Sequence, residues 1–242
     1  MRRIAIVGGG VAGLAAAYYL AQSARNGAEI QVVLFEASTR LGGIIETVRE
    51  GGFVIECGPD GWVTEKPWAC ELAEELGLGD ELMPSNDATR KTYILLENKL
   101  RPMPDGMRMM VPGDLDALDA SELFTADAKR AYREEISRAE DLKANAPTRD
   151  ESVAAFVRRH FGKEVLDTIG APLLSGVFGG DVATLSVRAV MGPFVKMERE
   201  HGSLITALQS RPAATPSSIF TTLRSGMGTL VDRMIAAIPP EW

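Results

Sequence analysis

The sequence predicts an α/β fold that opens on a parallel βαβ unit and carries a long, mainly helical insertion. Three observations support it. Arg3–Val7 and Gln31–Phe35 are short apolar runs rich in β-branched residues, read as fully buried strands. Between them stand Gly8-Gly9-Gly10 and an alanine-rich helix from about Val11 to Ala24. A strand, a glycine turn, a helix and a second strand within about 30 residues require a right-handed crossover and a parallel sheet. From about Thr92 the texture changes, with a hairpin and a turn cluster first and helical segments after them.

The remaining elements follow in order. A glycine-rich stretch, Leu41 to Gly61, is read with short strands at Ile44–Val48 and Phe53–Ile55. Lys66–Leu76 is a helix that stops at Gly77 and Gly79. Thr92–Leu96 and Lys99–Arg101 form a hairpin about Glu97-Asn98, followed by the turn cluster Met103-Pro104-Asp105-Gly106. Helices are expected at Ala126–Ala144, Ser152–Phe161 and Glu164–Ile169, the last running into Pro172. Leu174–Gly180 is read as a glycine-rich loop, with helical patches at Leu185–Met191 and Leu204–Gln209. Arg211–Ser218 reads as a loop or linker, and Thr229–Ile238 as a last helix.

The domain boundaries expected from this are residues 1–86, 87–215 and 216–242. The first is the nucleotide-binding part, the second a substrate-side helical domain, and the third an incomplete return to the first. A parallel sheet begun by one βαβ unit needs more strands, and the final third reads as offering almost none. The chain is therefore expected to be the truncated first part of a longer polypeptide, inactive by itself.

The chain has 242 residues, 45% of them hydrophobic and 24% charged, which excludes a disordered tail or a fibrous repeat. Cys57 and Cys70 form neither a disulfide framework nor a CxxC motif. His160 and His201 are read as packing or surface residues, and no metal is expected. The longest plain apolar run, Leu14–Ala21, is too short to span a bilayer. A reduced, cytoplasmic setting is expected. The net charge of −7 argues against nucleic-acid binding. Against that acidic background, Arg90, Lys91, Lys99, Arg101 and Arg108 face only Glu97 and Asp105 between positions 90 and 108.

The strongest motif is Gly8-Gly9-Gly10-Val11-Ala12-Gly13, a GxGxxG that ends a strand and opens a helix. Gly8 permits the tight turn, Gly10 lets the backbone approach a pyrophosphate, and Gly13 lets helix and strand pack closely. The phosphates would sit at the helix N-terminus, where free N–H groups favour anions. Glu36 ends the second strand, about 20 residues beyond the motif, where it can accept both hydroxyls of an adenosine ribose. This context defines a Rossmann-type dinucleotide site. The run Glu36-Ala37-Ser38-Thr39-Arg40-Leu41-Gly42-Gly43 separates flavin from nicotinamide. It brings a cation and a second unobstructed glycine turn toward the same pyrophosphate, which a nicotinamide-only site does not need. A third cluster, Gly58-Pro59-Asp60-Gly61, follows.

The runs GGGVAGLAAAYYLA, VVLFEASTRLGG and GFVIECGPDGW resemble the N-terminal part of flavin amine-oxidase-like enzymes. KTYILLENKLRPMPDG, APLLSGVFGGDVATLSVRA, HGSLI and SSIFTTLRSGMGTLVD narrow the resemblance to the oxygen-dependent protoporphyrinogen oxidases and the related coproporphyrinogen oxidases. The resemblance covers nearly the whole chain. It implies FAD as cofactor, a porphyrinogen as substrate and oxygen as electron acceptor. It places Gly8–Gly13 on the FAD pyrophosphate, Glu36 and Ala37 at the adenosine ribose, and Arg40, Gly42 and Gly43 along the phosphates and ribityl chain. Gly58, Pro59, Asp60 and Gly61 would lie near the isoalloxazine. Gly176 and Phe178 would face the substrate side, and a basic residue at the hairpin entry, Lys91 or alternatively Arg90, would meet a substrate propionate. No side chain is assigned as a catalytic acid or base, because a flavin supplies the oxidation and the protein positions and excludes water.

Met103, Met107, Met109 and Met110 crowd one short stretch and carry two readings. One is an adaptable apolar lip at a membrane or substrate mouth, which adds a peripheral contact with the cytoplasmic membrane to the expectations. The other is core filling. Two further functions fit the first βαβ unit: an amine or carotenoid-precursor oxidase, and a non-catalytic nucleotide-binding fragment. The SGVFGG…LS segment discriminates against the former.

Overall fold

A computed structural model describes residues 1–210 and 218–242. The chain divides into two compact units, Met1–Thr89 with Thr215–Trp242, and Arg90–Ala214.

The first unit begins with β1 (Arg2–Val7), α1 (Val11–Arg25) and β2 (Ile30–Phe35). β1 and β2 pair in parallel from Arg2↔Ile30 to Val7↔Phe35, as a βαβ unit requires. α1 presents Leu14, Ala17, Tyr18 and Ala21 to the core, a spacing of three and four that keeps one face apolar. β3 (Thr47–Glu50) and β4 (Phe53–Glu56) form a hairpin closed by Gly51 and Gly52, both in the left-handed region. β3 starts three residues later than the sequence suggests. Arg40 binds the carbonyls of Gly43 and Ile45, and Ile45 N–H bonds back to Gly42, so Ile44 and Ile45 are held in a turn. β5 (Trp62–Val63), α2 (Trp68–Glu75) and β6 (Leu82–Pro84) complete this stretch.

The second unit opens with β7 (Tyr93–Leu96) and β8 (Lys99–Pro102), paired in register Ile94↔Arg101. Glu97 and Asn98 at their turn both have positive φ, the geometry of a tight two-residue hairpin. Two short strands that the sequence did not announce, β9 (Met107–Arg108) and β10 (Val111–Pro112), follow. Then come α3 (Leu115–Ala120), capped by the Asp114 carboxylate, and α4 (Ala126–Ser137) and α5 (Ala139–Ala144). The single helix expected over Ala126–Ala144 is thus broken at Arg138 (φ −92°, ψ 12°). That guanidinium donates to the carbonyls of Arg159 and His160.

α6 (Val153–Val165) runs through the expected gap between two helices, with only Gly162 non-helical (φ 85°), and continues as one π-turn over Leu166–Gly170. α7 (Ala171–Phe178) occupies what reads in sequence as a glycine-rich loop. Pro172 sits in its first turn, where a missing N–H costs nothing, and left-handed Gly179 ends it. Gly176 is therefore helical. α8 (Val187–Val190), α9 (Gly192–His201) and α10 (Leu204–Gln209) close the unit. Most of the expected linker, residues 211–217, lies outside the described residues.

The chain returns to the first unit as β11 (Phe220–Leu223) and α11 (Gly228–Ala237). β11, a single short strand in the described part of the final third, lies between β5 and β6 in an antiparallel sheet and does not extend the parallel pair β1–β2. Leu14, Tyr18, Ile45, Leu72, Leu223, Leu230, Val231 and Met234 make the core of this unit.

The core of the second unit gathers Tyr132, Phe156, Phe161, Ile169, Leu174 and Met191. Met110 is fully buried in it, and Met103, Met107 and Met109 pack against it, so these methionines fill core instead of forming a lip. Inside lies a polar knot. The Glu135 carboxylate accepts from Ser203 Oγ (2.6 Å) and Leu204 N–H (2.6 Å) and meets His160 Nδ1 at 3.0 Å. His160 Nε2 faces Glu198 at 3.3 Å, and Arg159 bridges Glu198 to Glu151. Glu135 and His160 are wholly buried. Removing one member of such a set strands the others without water. Glu135→Leu is expected to destabilise this unit by about 3–5 kcal/mol, read from the midpoint of urea unfolding. A change under about 1 kcal/mol would show that the knot is dispensable.

Candidate flavin site

The candidate site is built where β1 ends. Gly8 has φ +100°, which turns the chain sharply, and its N–H donates to Phe35 O at the end of β2. A Cβ on Gly13 would lie 1.9 Å from Gly8 O, so the helix can approach the strand only with glycine there. Gly10 is the N-cap of α1, and no side chain caps it. The first N–H groups of a helix have no intrahelical partners. They point here into space that the second glycine turn borders: Gly42 N–H donates to Gly9 O at 2.8 Å, and Gly10 bridges Gly42. A Cβ on Gly43 would come within 3.0 Å of Gly10 Cα, so the two turns pass almost backbone on backbone.

Gly10 itself is different. A Cβ there would meet nothing nearer than Gly43 Cα at 3.9 Å, and its φ of −71° suits any residue. Protein packing therefore gives no reason for glycine at this position. An anion seated on the open helix end does, because a side chain would occupy its place. The cradle fits a dinucleotide pyrophosphate.

Glu36 anchors the first turn to the chain that follows β2. Its Oε2 accepts from Gly9 N–H at 2.6 Å and its Oε1 from Ser38 N–H at 2.7 Å. These backbone donors, Ser38 first and then Gly9, lower its pKa to about 2. The group is thus an ionised acceptor, and each oxygen keeps a lone pair for a ribose hydroxyl. Val11 and Ala12 supply the first turn of the helix, and Ala37 lies between Glu36 and Ser38.

Other expected residues are placed differently. The Arg40 guanidinium folds onto Gly43 O, Ile45 O and the Glu46 carboxylate, so it staples the second glycine turn. Gly58 and Gly61 are required by packing, since a Cβ would lie 1.9 Å from Ile44 O or 2.6 Å from Thr221 O. Pro59 and Asp60 lie between them. A feature the sequence reading missed sits nearby. The Glu56 carboxylate accepts from Met227 N–H, and Thr47 Oγ1 accepts from Gly228 N–H while donating to Glu56, capping α11. The run Ser225-Gly226-Met227-Gly228 ahead of the last helix was its only sequence signal.

Among the described residues of the second unit, two cavities meet at Thr92 and Tyr93. One, of about 460 Å³, is mainly apolar, between β7 and α7, with Leu95, Pro172, Leu173, Gly176 and Val177 on its walls. The other, of about 870 Å³, lies along the hairpin and carries Arg90, Lys91, Lys99 and Arg101. Gly176 and Lys91 are thus brought to adjoining cavities. Phe178 lines neither of these two cavities and packs against the core.

Residues 11–241 match the family described as flavin containing amine oxidoreductase. The chain belongs to that family. Its members contain a flavin, and the cofactor of this chain is FAD. The coproporphyrinogen III oxidase of Bacillus subtilis is 35% identical over 96% of this chain and 50% of its own length. Chloroplastic protoporphyrinogen oxidase 1 of Arabidopsis thaliana is 35% identical over 86% of this chain and 37% of its own. A solved Exiguobacterium sp. 255-15 structure, provisionally assigned as a protoporphyrinogen oxidase, superposes with a TM-score of 0.81 at 34% identity, covering 98% of this chain and 51% of that one. Putrescine oxidase, 19% identical with a TM-score of 0.60, shares the fold. The chain spans about half the length, or less, of the curated relatives it matches. Among the described residues, no helix is long and apolar enough to cross a membrane.

Glu36 gives this flavin site its first test. Glu36→Ala removes charge-assisted bonds and frees the glycine turn, and FAD retention is expected to fall tenfold or more. Because folding lowers the Glu36 pKa from its usual 4.5 to about 2, its contribution is complete above about pH 4.5 and is lost as pH falls toward 2. Acid unfolding of Glu36→Ala should therefore depend less steeply on pH across that window than the parent. Equal FAD affinity and equal slopes would remove Glu36 from the site.

Proposed function

We propose that the protein is an FAD-dependent oxidase of a porphyrinogen, either coproporphyrinogen III or protoporphyrinogen IX, with oxygen as the final acceptor. The observation that carries this reading is the pairing of an apolar cavity with a cationic one along the β7–β8 hairpin. A porphyrinogen is a large apolar ring with carboxylate substituents, and it asks for apolar walls and a few fixed cations. The names of the relatives support the same substrate class.

In this reading Gly8, Gly9, Gly10, Val11, Ala12 and Gly13 hold the pyrophosphate on the open end of α1, and Glu36 with Ala37 receives the adenosine ribose. Gly42 and Gly43, stapled by Arg40, border the phosphates and the ribityl chain, and Gly58–Gly61 lie toward the isoalloxazine. The bound flavin supplies a two-electron, hydride-accepting oxidant. The protein's own part is to orient the ring and keep water from it. Each oxidation extends conjugation in the substrate, so little acid–base help is needed. The helical unit, Arg90–Ala214, is the substrate side, with Gly176 on the ring and Lys91 or Arg90 on a propionate; Phe178 supports α7 from the core. An amine oxidase would share the first unit but would have no use for the cationic hairpin.

Mixed anaerobically with coproporphyrinogen III, the FAD-loaded whole protein is expected to lose its flavin colour and regain it when oxygen is admitted, whereas the 242-residue chain alone is expected to stay inactive. A flavin that stays oxidised with either porphyrinogen would overturn the proposal. Within it, Lys91→Met is expected to raise KM for the porphyrinogen and leave the flavin spectrum intact. Kinetics unchanged at low and high salt, in Lys91→Met and Arg90→Met alike, would remove the hairpin entry from the substrate site.

A further inference from the structure

We infer that Arg101 is a specificity residue that takes a carboxylate of the substrate ring in exchange for Glu122; this rests on the porphyrinogen reading above. The register sets the geometry. Arg101 lies opposite Ile94, so both side chains leave the hairpin on one face. Ile94 is buried in the core of this unit, and Arg101 is therefore turned inward, with only 22% of its side chain exposed. It lines the 870 Å³ cavity together with Lys91 and Lys99.

The guanidinium is incompletely used. Nη1 donates to Glu122 Oε2 at 2.9 Å and more weakly to Glu122 O at 3.4 Å. Nε is buried with no acceptor, which makes it one of two such side-chain atoms among the described residues. A buried donor without a partner is costly, and an arginine offers donors as forks that fit both oxygens of one carboxylate. One edge of Arg101 is thus occupied and another is unmet. Its present partner is weakly held, because the Glu122 side chain is 87% exposed and such surface pairs contribute little. Glu122 acts as a stand-in carboxylate that an incoming anion can replace.

The rest of the cavity agrees. Its acidic lining is Asp105 and the Arg101 partner Glu122, and among the described residues neither Lys91 nor Lys99 forms an ion pair. Thr92 O accepts from Met103 N–H, so Lys91 stands at the mouth of the same hairpin whose return strand carries Arg101 and Lys99. Cations at both ends of the hairpin suit a ring with carboxylates on more than one edge. Four propionates use them more fully than two, which favours coproporphyrinogen over protoporphyrinogen.

The test is a fluorescence titration of the FAD-loaded protein with coproporphyrin III and with its tetramethyl ester. Arg101→Gln is expected to weaken coproporphyrin binding about tenfold or more, and Glu122→Gln to tighten it severalfold, while neither changes ester binding. Glu122 is at the surface, so its variant tests the exchange even if Arg101→Gln folds poorly. Unchanged coproporphyrin affinity in both variants, or parallel losses for acid and ester, would overturn the role of Arg101 while leaving the porphyrinogen reading in place. Failure of the parent protein to bind either porphyrin would overturn that reading and this inference with it.

Discussion

The Glu36 carboxylate holds the candidate site together. It reaches from the end of β2 to the N–H of Gly9 and turns back to the N–H of Ser38. One side chain thereby fixes both walls of the cradle, since Gly9 O in turn receives Gly42 N–H. Everything near the open end of α1 depends on that closure. Gly13 must lack a Cβ for the helix to reach the strand, and Gly43 must lack one for the second turn to lie on Gly10. Arg40 then secures the second turn from behind.

The two units divide the chemistry. The first offers backbone donors, a helix dipole and one ionised acceptor, which suit a phosphate-linked ribose. The second offers an apolar cavity beside a cationic one, which suits a flat ring with acidic substituents. In the proposed reading a cofactor carries the reaction and the protein supplies position and field.

The sequence showed most where local rules decide. β1, α1 and β2 follow from apolar runs and one glycine turn, although Val7, Val33 and Phe35 are exposed where fully buried strands were expected, and the β7–β8 hairpin follows from two short runs about Glu97-Asn98. It misled where glycine has two meanings. Gly176, Gly179 and Gly180 suggested a loop, but Pro172 starts a helix there and only Gly179 ends it. β9 and β10 gave no periodic signal because two residues make a single strand period, and β11 pairs only with β5 and β6, far away in sequence. Long-range partners were illegible in principle. Nothing local tells that Arg101 meets Glu122, beyond the end of α3. Nor does it tell that His160 is held between two carboxylates.

The central claim is that Gly10 is glycine for the sake of a bound pyrophosphate and not for packing. Gly10→Ala tests it most directly, by comparing the melting temperature of the apoprotein with its affinity for FAD. A Cβ at Gly10 meets nothing nearer than Gly43 Cα at 3.9 Å, whereas one at Gly13 would strike Gly8 O. The account predicts that Gly10→Ala melts like the parent without FAD yet loses most of its FAD affinity, while Gly13→Ala lowers both. Parent-like FAD binding in a stable Gly10→Ala protein would contradict it.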